Sequence, residues 1–76
     1  MLRLSEVGVK MKCKIVKVAG GKVIKKRLLE MGFVRGTDMY VQKLAPLGDP
    51  MELVLKGYHV SLRREEANDV YVTPEL

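Results

Sequence analysis

The segment Arg27-Leu28-Leu29-Glu30-Met31-Gly32-Phe33-Val34-Arg35-Gly36-Thr37 constrains this chain more than any other stretch. It reads as a helix that stops sharply and a strand that begins almost at once. Gly32 follows the last apolar-periodic residue, where a helix stop needs a left-handed backbone that glycine adopts at low cost. With Gly32 at C′, Phe33 falls at C″ and Leu28 at C3, the apolar pair that closes a Schellman stop. Gly36 permits a second tight bend before the alternating run from Thr37 to Leu44.

The rest of the chain fits around that segment. Leu4-Ser5-Glu6-Val7-Gly8 predicts a short turn capped by Ser5. Met11 to Val18 predicts the first strand, with Met11, Cys13 and Ile15 on one face. Val16 and Val18 then take the other, a shift of phase that calls for a bulge or strong bend. Lys22 to Met31 is the one good helix, with Ile24, Leu28 and Met31 as its apolar stripe. Strands follow over Thr37–Leu44, Met51–Lys56 and Tyr58–Leu62, the last with Tyr58, Val60 and Leu62 inward. Lys56-Gly57 joins the last two as a two-residue hairpin turn. Arg63 to Ala67 predicts one helical turn, and Val70 to Thr73 a closing strand that Pro74 ends. Five short strands with one helix after the first predict a mainly β, strongly bent barrel. The four internal methionines, Met11, Met31, Met39 and Met51, read as gap fillers in its small core.

With 76 residues the chain is expected to form one domain, 1–76, with no cleft between domains for catalysis. A lone Cys13 makes no internal disulfide, so a reducing cytosol is the plain reading. The longest stretch free of charged residues, Gly57 to Leu62, is far shorter than the ~20 apolar residues of a spanning helix. Arg3, Glu6, Lys10 and Lys12 interrupt any signal-peptide core. A cytoplasmic protein is expected, touching a membrane only through a partner.

Net charge is +5, but the distribution says more. Between Val7 and Leu29 lie eight basic residues and no acid, while the rest of the chain carries −3. Such asymmetry points to an acidic partner or a nucleic acid, against the plainer reading of a solvated lysine face.

Three motifs in order are similar to one family. Leu28-x-x-Met31-Gly32-Phe33-x-x-Gly36-Thr37 comes first. Pro46-Leu47-Gly48-Asp49-Pro50 and Ser61-Leu62-Arg63-Arg64-Glu65-Glu66-Ala67 follow. Together they resemble FeoA, the ferrous iron transport protein A, from about Leu4 to Val72. The resemblance implies an SH3-like barrel and a cytosolic accessory role beside FeoB, a membrane-embedded ferrous iron transporter with a cytosolic G domain. Many relatives carry Pro before the second glycine, where this chain has Arg35, which leaves the turn less rigid. The same barrel recurs as the C-terminal domain of iron-dependent repressors, behind a DNA-binding domain. This chain opens directly on the Leu4-Ser5-Glu6 turn, so the stand-alone form is expected, with a detached repressor domain as the alternative.

Chemistry at a site is sparse. One Cys and one His, with no Cys-x-x-Cys or His-x-x-x-His pair, predict no high-affinity metal centre and no cofactor, leaving at most a weak surface metal contact. His59 reads as an outward strand residue, and Glu65 and Asp69 as offsets for Arg63 and Arg64. Gly20-Gly21-Lys22 is a helix entry rather than a phosphate loop, and no Ser or Cys has a His to activate it. No enzyme is expected. Projected at ~100° per residue, the helix sets Lys22, Lys25 and Lys26 opposite the core stripe with Leu29 among them. An apolar side chain ringed by lysines reads as a docking anchor, unless the loop Ala45 to Asp49 covers it. Arg27 lies at the edge of the core face and snorkels. Lys22, Lys25, Lys26, Leu29 and Arg35 are therefore the candidate partner-binding residues, for the FeoB G domain, with the chain a monomer or weak homo-oligomer. A nucleic-acid-binding barrel is the rival class. Phe33 and Tyr58 are committed to the fold, which leaves only Tyr40 and Tyr71 for stacking. A reader of Pro-rich peptides would need more aromatics, including the Trp this chain lacks.

Overall fold

The computed structural model describes residues 1–75. Six antiparallel strands form one sheet in the order β1-β6-β2-β3-β4-β5. They are β1 (Leu2–Arg3), β2 (Lys12–Val18), β3 (Asp38–Leu44), β4 (Met51–Leu55), β5 (Tyr58–Leu62) and β6 (Val70–Pro74). Helix α1 (Lys22–Glu30) follows β2, and the short α2 (Arg64–Ala67) precedes β6. The five expected strands form. The sixth, β1, adds two residues to the edge of β6, pairing Leu2 with Val72 and Arg3 with Tyr71. A two-residue strand carries no periodicity from which it could be read.

Helix α1 ends as its sequence dictates. Gly32 has φ +105°. The Phe33 N–H donates to the Leu28 carbonyl and the Gly32 N–H to the Leu29 carbonyl, both at 3.0 Å, the paired bonds of a Schellman stop. Leu28 and Phe33 are both fully buried. The helix is one residue shorter than expected, because Met31 serves as its C-cap.

The bends come from register breaks. In β2 the pairing with β6 slips between Ile15 and Lys17, so Val16 is a bulge. The slip returns Val18 to the same buried interior as Cys13 and Ile15, where strict alternation would have put it outside. A second slip, between Val41 and Lys43, bends β3 against β4. Lys56 and Gly57 both have positive φ, which closes β4 onto β5 with the twist a two-residue hairpin needs. Inward residues of all the longer strands, with Leu4, Val7, Leu28, Phe33 and Ala67, fill a single core. Met39 and Met51 lie in it and Met31 packs against it.

Five local expectations change. Ser5 is not a cap: the Glu6 carboxylate accepts the Arg3 N–H at 2.9 Å, and the Ser5 hydroxyl donates to Asn68 Oδ1. Met11 is partly exposed, although its carbonyl still accepts the Val41 N–H of β3 at 3.0 Å. Ile24 is exposed because α1 is anchored at its C-terminal end: Lys22 to Arg27 all lie outside the core and burial begins at Leu28. Tyr58 is half exposed rather than core-facing, since its hydroxyl reaches the Met31 carbonyl at 2.7 Å. Finally, Glu65 and Asp69 form no ion pair with Arg63 or Arg64; the Arg64 N–H is instead accepted by Asp49 at 3.2 Å.

Candidate partner-docking face

Helix α1 presents two unlike faces. Leu28 enters the core, and Arg27 reaches across to Glu66 on α2 at 3.0 Å. Removing Arg27 to this structural pair leaves the outer face to lysines. Lys22, Lys25, Lys26 and Glu30 surround Leu29 in a shallow, mostly apolar hollow, and Leu29 is 41% exposed. Among the described residues, none of the three lysines has a carboxylate within 4.0 Å. The Ala45–Asp49 loop does not cover the hollow. Its Gly48 lies against the Arg64 guanidinium, and its Leu47 stands in solvent. A lysine rim around an exposed leucine can attract an acidic surface and then bury a small apolar contact.

Arg35 is set apart from this cluster. It lines a second concavity with Lys14, Ile15, Val16, Gly36 and Thr73, where the β2 bulge meets β6. Gly36, with φ +87°, turns the chain there. Its N–H donates to the Ile15 carbonyl at 2.8 Å, so Arg35 is carried to the β2 side. Lys14 is occupied by Asp38 at 3.6 Å and Glu75 at 3.8 Å. Four of the five candidate residues thus share one helix face and the fifth does not.

Metal-ligand types are dispersed. His59 is exposed on edge strand β5 and Cys13 is fully buried on the inner face of β2. Among the described residues no three of His, Cys, Asp and Glu come together. Burial, with a smaller contribution from the Glu75 charge, pushes the Cys13 thiol up to about 11, so it is not a ready thiolate. Of the two candidate stacking tyrosines, Tyr71 is already flanked. Lys17 lies 4.9 Å and Arg3 5.8 Å from its ring centre.

The FeoA domain model matches residues 2–74 of the chain. The chain belongs to the FeoA family. It is 46% identical over 71 residues to an Fe(2+) transport protein A/Fe(2+) transporter FeoB fusion protein of Porphyromonas gingivalis. That match covers 93% of this chain and 8% of the much longer fusion protein. An FeoA-like protein from Clostridium acetobutylicum has the same fold, with TM-score 0.91 and 40% identity, over 99% of this chain and 87% of that one. So does the zinc-complexed FeoA of Stenotrophomonas maltophilia, an SH3 domain protein suggested as a ferrous iron transport activating factor. Its TM-score is 0.84 and its identity 27%, over 96% of this chain and 91% of that one. The bent sheet is therefore the SH3-like FeoA fold, and the FeoA family is associated with ferrous iron transport. Among the described residues no helix is long and apolar enough to cross a membrane.

Proposed function

We propose that this chain is a cytoplasmic accessory protein of ferrous iron uptake that binds the cytosolic G domain of a FeoB-type transporter. It modulates or assembles that transporter and catalyses nothing itself. The observation that carries this reading is the α1 outer face. Leu29 stands exposed among three lysines that have no carboxylate partner among the described residues, on the longer helix of a family member whose relative is fused to FeoB. The fusion supports the choice of partner, because covalent linkage raises the effective concentration of two domains that work together. The lysines steer an acidic partner, and Leu29 supplies the contact that is desolvated last. Arg35 belongs to the proposed contact only as a second, outlying point.

The test is binding of Leu29→Asp and Lys26→Glu variants to the isolated G domain. Both positions are exposed, so both variants keep the fold, and each is expected to weaken binding by about tenfold or more. Unchanged affinity in both would overturn the assignment of the face. GTP hydrolysis by the transporter that is equal with and without this protein would remove modulation and leave assembly.

A further inference from the structure

Helix α1 is held to the barrel by its second half alone. Leu28 is fully buried, Arg27 pairs with Glu66 at 3.0 Å, and the Met31 carbonyl accepts the Tyr58 hydroxyl at 2.7 Å. Every residue from Gly20 to Lys26 is exposed. The chain is fixed again just before that run, where the Ala19 N–H donates to the Asp69 carbonyl at 2.7 Å. Between the two anchors Gly20, with φ +94°, and Gly21 let the backbone turn at little cost.

The first half of α1 is also weak by its own composition. Gly21 sits at the N-cap with no side chain to take a free N–H, and the first turn holds no acid. Lys22 and Lys25 stand at the positive end of the helix dipole and Glu30 at the negative end, the reverse of the favourable arrangement. Lys22 and Lys26 are a like-charge pair four residues apart on one face. Lys26 and Glu30 run in the less favourable order and do not come within 4.0 Å. Val23 and Ile24 are β-branched. The Asp69 carboxylate lies against Gly20, but among the described residues it accepts no hydrogen bond from the first turn. A nine-residue helix depends on packing, and here the packing begins only at Leu28.

We propose that Lys22–Lys26 form a half-helix that opens while the barrel and the end of α1 stay folded, and that closes when an acidic surface neutralises its lysines. Opening follows from the fold and the charge pattern alone. Closure rests on the docking reading above, since an approaching carboxylate surface offsets the repulsion between Lys22 and Lys26. Leu29 lies on the anchored half and keeps its place in both states. The lysine rim and the apolar contact of the proposed docking face therefore belong to parts of unequal stability.

The experiment is amide hydrogen exchange of the full chain, read residue by residue by NMR at low salt. The Lys25, Lys26 and Arg27 N–H groups report on the opening half, because they bond back to carbonyls of residues 21 to 23. Those of Met31, Gly32 and Phe33 report on the anchored half. Protection of the first set is expected to be lower by about tenfold or more. Lys22→Glu should raise it about fivefold and leave the second set unchanged. Gly21→Ser with Val23→Ala should raise it about threefold without any change of charge. Position 21 has room for the serine, since a Cβ there meets nothing within 4 Å and φ is −71°. Poly-L-glutamate, as an acidic probe, should raise protection of the first set about threefold at low salt, with the effect lost at about 1 M salt. Equal protection in the two sets overturns the inference, as do variants that shift both sets together. No response to poly-L-glutamate overturns closure. If poly-L-glutamate closes the half-helix but the isolated G domain does not bind, the transporter reading fails and this inference stands.

Discussion

Arg27 on α1 and Glu66 on α2 form an ion pair at 3.0 Å whose two halves sit in different surroundings. The Glu66 side chain is nearly buried, while that of Arg27 is largely in water. The other Glu66 oxygen accepts the Arg63 N–H at 3.1 Å, so one carboxylate both starts α2 and ties it to α1. The two truncations should therefore be unequal. Glu66→Ala removes a cap and a cross-link and is expected to cost about 2 kcal/mol. Arg27→Ala leaves the carboxylate its backbone donor and is expected to cost about 1 kcal/mol, because the guanidinium side is solvent-screened. Urea denaturation of both variants and of the double variant measures the two losses and their coupling. Equal losses would contradict the asymmetry.

The stop of α1 couples to β5 through Gly32 and Tyr58. A Cβ on Gly32 would stand 2.3 Å from the Tyr58 hydroxyl, which donates to the Met31 carbonyl. Gly32→Ala thus meets both a left-handed backbone at φ +105° and a displaced hydrogen bond. The expected loss is about 2–3 kcal/mol by thermal or urea unfolding. In a Tyr58→Phe background the hydroxyl is absent, and the same substitution should cost about 1 kcal/mol less. Equal costs in the two backgrounds would mean that Tyr58 gives way freely.

The Schellman stop, the hairpin at Lys56-Gly57, the β2 bulge and the core faces of β3 and β4 were legible because each is written in residues next to one another. Gly at a forced φ, and apolar residues at period 2 or 3.6, are local statements. What was not legible depends on partners far away in sequence. Glu66 gives no local sign that its carboxylate will meet Arg27, and Tyr58 none that its hydroxyl will leave the core for Met31. Ile24 has the right helical phase for burial, but phase does not tell how much of a helix overhangs its sheet. The grouping of side chains on the outer face of α1 was half legible. Helical projection alone groups Lys22, Lys25, Lys26 and Leu29. Arg35 lies beyond two glycine bends, where no projection applies.

Burial of Cys13 gives a pH-dependent test of the core. Its pKa in the folded chain rises to about 11 from 9.0, so the folded state holds the proton more tightly than the unfolded state does. This contribution is fully present below pH 9 and is lost as pH climbs toward 11. It amounts to on the order of 2 kcal/mol across that interval. Cys13→Ala lowers stability at every pH by leaving a small cavity, and it should also flatten the alkaline decline relative to the unsubstituted chain. Stability against urea at pH 8, 9, 10 and 11 measures the difference in slope. Parallel curves would show that the thiol does not titrate with unfolding. At neutral pH the native thiol is expected to resist maleimide until the chain unfolds.

The proposed docking at the α1 face would divide its work between charge and contact, and kinetics separates the two. Lys22, Lys25 and Lys26 are exposed and lack carboxylate partners among the described residues, so in the proposed complex they would act on an approaching acidic partner at long range. Each Lys→Gln change should slow association with the G domain by about two- to threefold at low salt and leave dissociation nearly unchanged. That effect should fade as salt rises, since the Debye length falls from about 10 Å at 0.1 M to about 3 Å at 1 M. Leu29→Ala removes the apolar contact and should instead speed dissociation by about tenfold, with little dependence on salt. Arg35→Gln, in its separate concavity, is expected to affect association alone and less than Lys25→Gln does. Surface plasmon resonance at two salt concentrations distinguishes these outcomes. A Leu29→Ala variant that changed only the association rate would mean that Leu29 remains in water when the partner is bound.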